Sequence, residues 1–192
     1  AGDGASTATV TRSNTDRSEA LIVVLNSSDT TEATVPASVT IPANEASVSF
    51  AVDAVDDKIL DGTQAVSISG SVSGYFGLAD SVDVADHETV SIAIIADTVS
   101  ENAGAGATEA TVTRSDTDTG VALTVLLSSS DTSEATVSGS VEIPANAASA
   151  MISIAAIDDA ILDGTQCVIL SVEASGYLSG SDSLDLTDYE TV

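Results

Sequence analysis

The segment Ala110–Arg114 (ATVTR) decides the fold, because small or apolar side chains alternate in it with polar ones, and the same five letters stand at Ala8–Arg12. Such alternation is typical of a β-strand that turns one face toward a hydrophobic core and the other toward solvent. The two occurrences are 102 residues apart. A strand and its repetition are therefore the first features that the sequence establishes.

The offset of 102 residues holds along the whole chain of 192 residues. Residues 1–90 align with residues 103–192 without a gap, whereas Ser91–Asn102 occurs once. A fixed period of this kind identifies the architectural unit of a repeat protein. We therefore predict a truncated module at residues 1–88, a complete module at 89–190 and the start of a following module at 191–192, as in a piece of a longer array.

Short strand signals follow one another densely in the second copy, with turn residues between them and no helical periodicity. The predicted strands are Val90–Ile95, Ala110–Arg114, Leu123–Leu127, Val141–Ile143, Ala150–Ile157, Cys167–Ala174 and Ser183–Leu186. About seven short strands separated by turns are the pattern of an antiparallel β-sandwich. We predict an all-β chain of two such sandwiches, the first of which lacks its N-terminal strand.

The charge of the chain limits its partners. Asp and Glu number 30 against 4 Lys and Arg, which gives a formal net charge of −26. A polyanion cannot neutralise phosphates, so we expect no nucleic-acid partner and no binding to anionic membrane surfaces. No apolar run approaches the roughly 20 residues that span a bilayer, which argues against direct membrane insertion. Cations are the expected ligands.

The chain contains one cysteine, Cys167, which stands in the apolar run Cys167–Leu170. A single cysteine cannot form an intramolecular disulfide, so the cysteine content does not identify the redox compartment. In this position we expect a small buried hydrophobic residue.

Carboxylates collect at the ends of the predicted strands. In the second copy they are Asp131, Asp158, Asp159, Asp163, Asp188 and Glu190, and in the first copy Asp29, Asp56, Asp57, Asp61, Asp86 and Glu88. Alternate strand ends of an antiparallel sandwich meet at one pole, so these groups can converge. Five or more clustered carboxylates repel one another by several kcal/mol unless protons or a cation neutralise them.

Calcium is the cation that this ligand set favours. Ca²⁺ takes 6 to 8 oxygen ligands in loose geometry, whereas zinc prefers His and Cys, of which the chain has one each. The alternative is that these acids are ordinary turn formers without a metal, since Asp-Gly and Asp-Asp are common in turns. A second acidic segment, Asp116–Gly120, resembles the start of an EF-hand loop but lacks the distal Glu, and we interpret it as a hairpin loop.

The ensemble of these motifs resembles the Calx-β module of sodium/calcium exchangers, integrin β4 and large bacterial surface proteins. The similarity rests on residues 99–104, Ala110–Arg114, residues 157–165 and the closing segment Asp188–Glu190, and it covers nearly the whole chain. It implies a seven-stranded immunoglobulin-like sandwich with calcium at one pole. The ligand set that it implies for the second module is Glu101, Asp131, Asp158, Asp159, Asp163, Asp188 and Glu190.

Two departures from that family concern the site. Exchanger modules close with three aspartates, where this chain has Asp188–Glu190 (DYE) and Asp86–Glu88 (DHE), which predicts fewer ions. For the first module the resemblance implies Asp29, Asp56, Asp57, Asp61, Asp86 and Glu88. The counterpart of Glu101 would precede residue 1, so this site is one carboxylate short unless another chain supplies it.

We expect no enzymatic activity, because the single histidine, His87, is replaced by Tyr189 in the other copy and lies between two acids in a predicted exposed loop. Two functions remain. The first is a calcium-rigidified spacer, adhesin stalk or filament subunit of a large extracellular or cell-surface protein, bacterial in origin. The alternative is a calcium-sensing regulatory module coupled to a transporter or another effector.

The expected partners are neighbouring modules of the same array. The missing first strand of the truncated module adds a further expectation. A neighbouring chain could donate that strand head to tail, which would join copies into a filament.

Overall fold

The computed structural model describes residues 2–159 and 161–189, which divide into two compact units. The first unit contains the residues up to Asp57 together with Asp61–Asp86, and the second contains Lys58–Leu60 together with the residues from His87 onward. Every described element is a strand except one short 3₁₀ helix, Glu101–Ala103. The predicted all-β fold class is confirmed. No helix among the described residues is long and apolar enough to cross a membrane.

The described part of the first unit contains seven strands. They are β1 Gly2–Thr11, β2 Leu21–Ser27, β3 Ala33–Thr34, β4 Ser38–Ile41, β5 Ser47–Ala54, β6 Gln64–Ser71 and β7 Leu78–Val84. One sheet has the order β1-β5-β3 and the other the order β4-β2-β6-β7, and all neighbouring pairs are antiparallel. Connections that alternate between the two sheets are those of a β-sandwich.

In the second unit, nine strands lie within the described residues. They are β8 Val90–Ile94, β9 Thr98–Ser100, β10 Thr108–Arg114, β11 Leu123–Ser129, β12 Ala135–Thr136, β13 Ser140–Ile143, β14 Ser149–Ala156, β15 Gln166–Glu173 and β16 Gly180–Thr187. Their sheets have the orders β12-β14-β10-β8 and β13-β11-β15-β16-β9. Strand β9 runs parallel to β16, and the other pairs are antiparallel.

The second unit has two strands more than the seven predicted. Strands β9 and β12 contain three and two residues, too few to show the alternation by which a strand is recognised in a sequence. The first unit has no counterpart of β8 or β9 among its described residues, because the segment that forms them occurs once.

The hydrophobic core differs between the units. In the second unit one continuous aliphatic cluster connects both sheets, with Val112 and Ala110 of β10 fully buried. In the first unit the buried residues form two smaller clusters, and the equivalent Val10 and Ala8 of β1 are only half-buried. Strand β10 is covered by β8 on one side, whereas β1 has no strand neighbour on that side among residues 2–159 and 161–189.

Two arginines of the repeated ATVTR segment are buried. Arg12 donates from its guanidinium to the carbonyl oxygens of Glu19, Glu45, Arg17 and Pro42 at 2.8 to 3.2 Å. In the second unit Arg114 donates in the same way to the carbonyls of Ala147, Val121 and Thr119 at 2.9 to 3.1 Å. The N–H donors of each guanidinium thus satisfy backbone carbonyl groups of the loops at this end of each sandwich.

The sequence analysis interpreted Asp116–Gly120 as a hairpin loop, and this interpretation was wrong. This segment connects β10 to β11, which belong to different sheets. Asp116 is buried, lies 3.9 Å from the Nε atom of Arg114, and accepts a hydrogen bond of 2.8 Å from the Tyr177 hydroxyl. Burial and the adjacent Asp116 carboxylate raise the pKa of Tyr177 to about 12.

Cys167 is exposed, so the expectation of a buried thiol was wrong. Along β15 the buried positions are Val168, Leu170 and Val172, and strict alternation therefore turns Cys167 outward. The apolar run concealed this alternation. Across the sheet Cys167 pairs with Asp185, whose carboxylate raises the pKa of the thiol by hydrogen bonding and by its charge.

Replacing Tyr177 by Phe should destabilise the second unit by about 1 to 3 kcal/mol, because buried Asp116 would lose its hydroxyl donor. The matched control is Tyr75→Phe. Tyr75 is 38% exposed, and Asn14 stands where the second unit has Asp116, so this change should stay within about 0.5 kcal/mol. Thermal unfolding followed by circular dichroism measures both, and equal losses would show that the hydrogen bond is not what stabilises this loop.

Candidate metal centre

A tight turn after β2 places the first acids of the candidate site. The Oδ1 atom of Asp29 accepts hydrogen bonds from the backbone N–H of Thr31 at 3.0 Å and from its hydroxyl at 2.6 Å, which lowers the pKa of Asp29. The N–H of Ala33 closes the turn on the Asp29 carbonyl at 3.1 Å. The side chain of Glu32, the last residue of the turn, is buried.

The turn is tied to the end of β5 by one backbone hydrogen bond, from the N–H of Val55 to the Glu32 carbonyl at 2.8 Å. The acids that follow Val55 therefore lie near Glu32. A second link brings in the segment before β6. Gly62 has a φ of +88°, a conformation that side chains rarely adopt, and its N–H donates to the Oδ2 atom of Asp86 at 2.8 Å.

These constraints assemble a group that we call the Glu32 cluster, formed by Glu32, Asp57 and Asp61. One carboxylate oxygen from each of the three lies within 4.8 Å of the others. Glu32 is 8% exposed, and burial raises its pKa above the ordinary value. The charges of Asp57, Asp61, Asp29 and Asp86 raise it further, in that order. Five carboxylates of the first unit thus share one electrostatic environment.

The second unit repeats this construction. Asp131 accepts hydrogen bonds from the N–H and hydroxyl of Ser133, and the N–H of Ile157 donates to the Glu134 carbonyl at 2.7 Å. The N–H of Gly164 donates to the Oδ2 atom of Asp188 at 2.5 Å. Glu134 is buried, and its pKa is raised by that burial and then by the charges of Asp163, Asp159, Asp131 and Glu101.

Glu101 reaches this environment through the extra strand of the second unit. Strand β9 pairs in parallel with β16, with Ser100 opposite Thr187, and the 3₁₀ helix that follows begins at Glu101. Glu101 is 2% exposed, and its Oε1 atom accepts a hydrogen bond of 2.6 Å from the N–H of Tyr189. No equivalent of this glutamate exists among the described residues of the first unit.

The two units differ in how closely the oxygens approach one another. Among the described residues, the three-oxygen group occurs in the first unit. In the second unit the Oδ1 atom of Asp159 accepts a hydrogen bond of 2.8 Å from the N–H of Ile161. A cation that recruited Asp159 would compete with that bond.

The structure places the other predicted ligands as follows. Asp56 and Asp158 are exposed and are not among the groups that raise the pKa of Glu32 or Glu134. Glu88, predicted for the site of the first module, is buried in the second unit, where its carboxylate accepts a hydrogen bond of 3.1 Å from the N–H of exposed His87. Glu190 lies outside the described residues.

The sequence analysis missed the two glutamates at the centre of these groups, Glu32 and Glu134. Both stand three residues after a predicted ligand, Asp29 or Asp131, and occupy equivalent positions in the two copies. This repeated spacing could have been used to predict that the two glutamates belong to the site. They were missed because a glutamate in a polar turn ordinarily points to solvent, and only the tertiary link to the end of β5 or β14 buries it.

The donor set determines which ions fit. Every group in the Glu32 cluster is a carboxylate, without His or Cys, so hard cations with oxygen ligands fit and zinc does not. The excess of negative charge around a buried glutamate can be neutralised by a proton on Glu32, which its raised pKa favours, or by a divalent cation.

Comparison with known proteins adds neighbours of low similarity. No family model matches the chain, and no curated protein matches it at a significant level. Similar solved structures include the apo form of the Calx CBD1 domain, at 17% identity over 53% of this chain and 99% of that chain, with a TM-score of 0.41. The calcium-binding domain CBD12 of CALX1.1 matches at 15% identity over 88% of this chain and 73% of that chain, with a TM-score of 0.33.

The extracellular domain of protocadherin GammaB4 matches at 11% identity over 88% of this chain, with a TM-score of 0.39, and the chain covers 26% of that structure. Likenesses at this level do not assign a function. The sandwich fold described above rests on the strand pairings of this chain itself.

Replacing Glu32 by Gln should stabilise the metal-free chain at pH 7, because it removes a buried charge that other carboxylates repel. The folded-state pKa of Glu32 lies above its unfolded value, so the ionised form costs stability above the folded-state pKa. That cost disappears as the pH falls below the ordinary value of 4.5. Melting temperatures in EDTA at pH 7 and near pH 4 test this prediction.

The control for this substitution is Glu45→Gln, which removes the same charge from an exposed position of the same unit. Its melting temperature should change little at either pH. An E32Q variant that melts below the parent chain at pH 7 in EDTA would contradict the crowding of charge at the Glu32 cluster.

Proposed function

We propose that the chain is a calcium-binding repeat of the Calx-β kind, belonging to a large extracellular or cell-surface protein of bacterial origin. In this role it acts as a calcium-rigidified spacer, adhesin stalk or filament subunit. The observation that carries the proposal is the Glu32 cluster, in which three carboxylate oxygens lie within 4.8 Å of one another around a buried glutamate.

Calcium suits this site better than other cations. It accepts 6 to 8 oxygens without strict angular requirements, and Glu32, Asp57 and Asp61 would hold it together with water or backbone oxygens. Magnesium demands a near-ideal octahedron and gives up its water reluctantly. When bound, the ion would supply positive charge to this group of carboxylates.

A structural role follows from repetition. The turn, the buried glutamate and the Asp-Gly link recur in both units, so an array of such modules would carry one acidic site per module. Extracellular modules bind calcium with dissociation constants of about 10⁻⁴ to 10⁻³ M, close to extracellular calcium concentrations. Sites of this affinity would stay occupied by calcium outside a cell. Permanent occupancy suits a role in stiffening the array more than a role in calcium signalling.

The proposal assigns no catalytic step to the chain. The single histidine, His87, is exposed, and its backbone N–H donates to Glu88. Tyr189 stands at its position in the second copy. A proton-transferring residue that is absent from one of two otherwise matching sites does not serve a function that both modules share.

Calcium should raise the melting temperature of the chain. At about 10 mM calcium, near 100 times a dissociation constant of 10⁻⁴ M, each occupied site would add about 2.7 kcal/mol to the free energy of unfolding. Thermal unfolding in EDTA, in calcium and in magnesium measures this effect. Identical midpoints in EDTA and calcium would disprove calcium binding to the folded chain.

Substituting one ligand should weaken the first site selectively. Asp61→Asn removes one oxygen charge from the Glu32 cluster and should raise the calcium dissociation constant at least tenfold, which corresponds to about 1.4 kcal/mol. Asp83→Asn, an exposed change on β7 that alters the net charge equally, should leave binding nearly unchanged. Titration calorimetry in which both variants bind alike would show that calcium responds to overall charge and not to the cluster.

A further inference from the structure

The segment Lys58–Leu60 is held in the second unit by its backbone. The carbonyl oxygen of Lys58 accepts two hydrogen bonds from Thr117, one from the backbone N–H at 2.8 Å and one from the side-chain hydroxyl at 3.1 Å. A Cβ atom on Gly176 would lie 3.3 Å from both Cδ atoms of Leu60, so the Leu60 side chain lies against this glycine. Lys58–Leu60 accordingly belongs to the second unit.

Lys58 is the most accessible of the four cationic side chains, all of which lie in the described part of the chain. Arg12 and Arg114 are buried at the ends of β1 and β10, and Arg17 is half-buried. Lys58 is exposed and lies in residues 55–63, which form neither strand nor helix. Proteases cleave preferentially in exposed segments of this kind. A protease that requires Lys or Arg before the cleaved bond therefore meets Lys58 first.

The backbone of Lys58 is held in a form that a serine protease does not cleave. Such an enzyme binds its substrate extended and takes the carbonyl oxygen of the residue before the cleaved bond into an oxyanion hole. Lys58 has a φ of +60°, in the left-handed region, and Thr117 already occupies its carbonyl oxygen. Cleavage of the Lys58–Ile59 bond therefore requires that this segment first leave Thr117.

We propose that the Lys58–Ile59 peptide bond is a processing site for a serine protease that selects cationic side chains, and that Thr117 keeps this site closed. Once the segment is released, a carboxylate in the specificity pocket of the protease pairs with the Lys58 ammonium. The serine hydroxyl adds to the Lys58 carbonyl carbon, the bond to the Ile59 nitrogen breaks, and that nitrogen takes the serine proton. Water then hydrolyses the ester, leaving a carboxylate on Lys58 and an amine on Ile59.

The cut leaves the strands of the first unit paired. Strand β2 precedes the cut and β6 follows it, and the two pair antiparallel from Val24 opposite Ser71 to Ser27 opposite Ile68. The fragments 1–58 and 59–192 therefore remain associated after cleavage.

The same cut divides the Glu32 cluster, because Asp57 lies before it and Asp61 after it. Calcium held by both residues would restrain the segment between them and slow the cut, and the cut would weaken calcium binding. This coupling rests on the proposed calcium function, whereas the processing site itself does not.

Limited digestion of the full chain with trypsin in EDTA, followed by intact-mass spectrometry, tests the site without calcium. We expect the first cut to give fragments 1–58 and 59–192, which elute together in gel filtration, and Lys58→Gln to abolish this cut. A first cut after Arg17, or a chain that stays intact until it unfolds, would overturn the proposal.

The role of Thr117 is tested by comparing variants in the same digest. Thr117→Ala removes the hydroxyl donor and should speed the cut after Lys58 at least threefold, because proteolysis follows the population of the open form. Cleavage after Arg17 should not accelerate, which separates local release from unfolding. Thr117→Ser, which keeps both donors, and Thr15→Ala, the exposed equivalent in the first copy, should match the parent chain. Equal rates for the Ala and Ser variants at Thr117 would show that Thr117 does not close the site.

Digestion in about 10 mM calcium tests the coupling to the Glu32 cluster. We expect the cut after Lys58 to be at least tenfold slower than in EDTA and Asp61→Asn to remove most of this protection. Hydrolysis of a small lysine ester in both buffers corrects for any effect of calcium on trypsin itself. A cut after Lys58 that proceeds equally in both buffers would overturn the calcium coupling alone and leave the processing site standing.

Discussion

The crowding of carboxylates around a buried glutamate is the constraint on which the rest of this structure depends. Glu32 is 8% exposed and lies among four other acids of its unit, although a buried charge is stable only when it is paired or neutralised. Arg12 is buried among backbone carbonyls of the β1–β2 and β4–β5 loops, at the other end of the strands. A proton on Glu32 or a cation bound from solution can neutralise this group.

Burial of the apolar core stabilises each β-sandwich and offsets the unfavourable clustering of carboxylates. In the second unit β8 and β9 close both sheets over one continuous aliphatic core, and β9 also positions Glu101. In the first unit the same core is divided into two clusters, and its acidic group lacks that glutamate among the described residues. The segment that completes the core of a module is thus the segment that completes its acidic site.

Local patterns predicted the fold well because the side-chain alternation of strands such as β10 is visible in the sequence. They failed where tertiary context decides the outcome. Cys167 looked buried because its strand reads as a continuous apolar run, yet the period of two turns it outward. Asp116 looked like a loop acid, but Tyr177, 61 residues away, and Arg114 bury it. Glu32 was missed because one backbone hydrogen bond to Val55 buries it, and no local pattern encodes that bond.

A crystal structure of the chain grown in saturating calcium, with an anomalous difference map to locate the ions, tests the central claim most directly. The account predicts a calcium peak within about 2.3 to 2.6 Å of carboxylate oxygens of Glu32, Asp57 and Asp61. A map with no peak at these three residues, or with calcium bound only at acids outside the group such as Asp56 or Asp83, would contradict it.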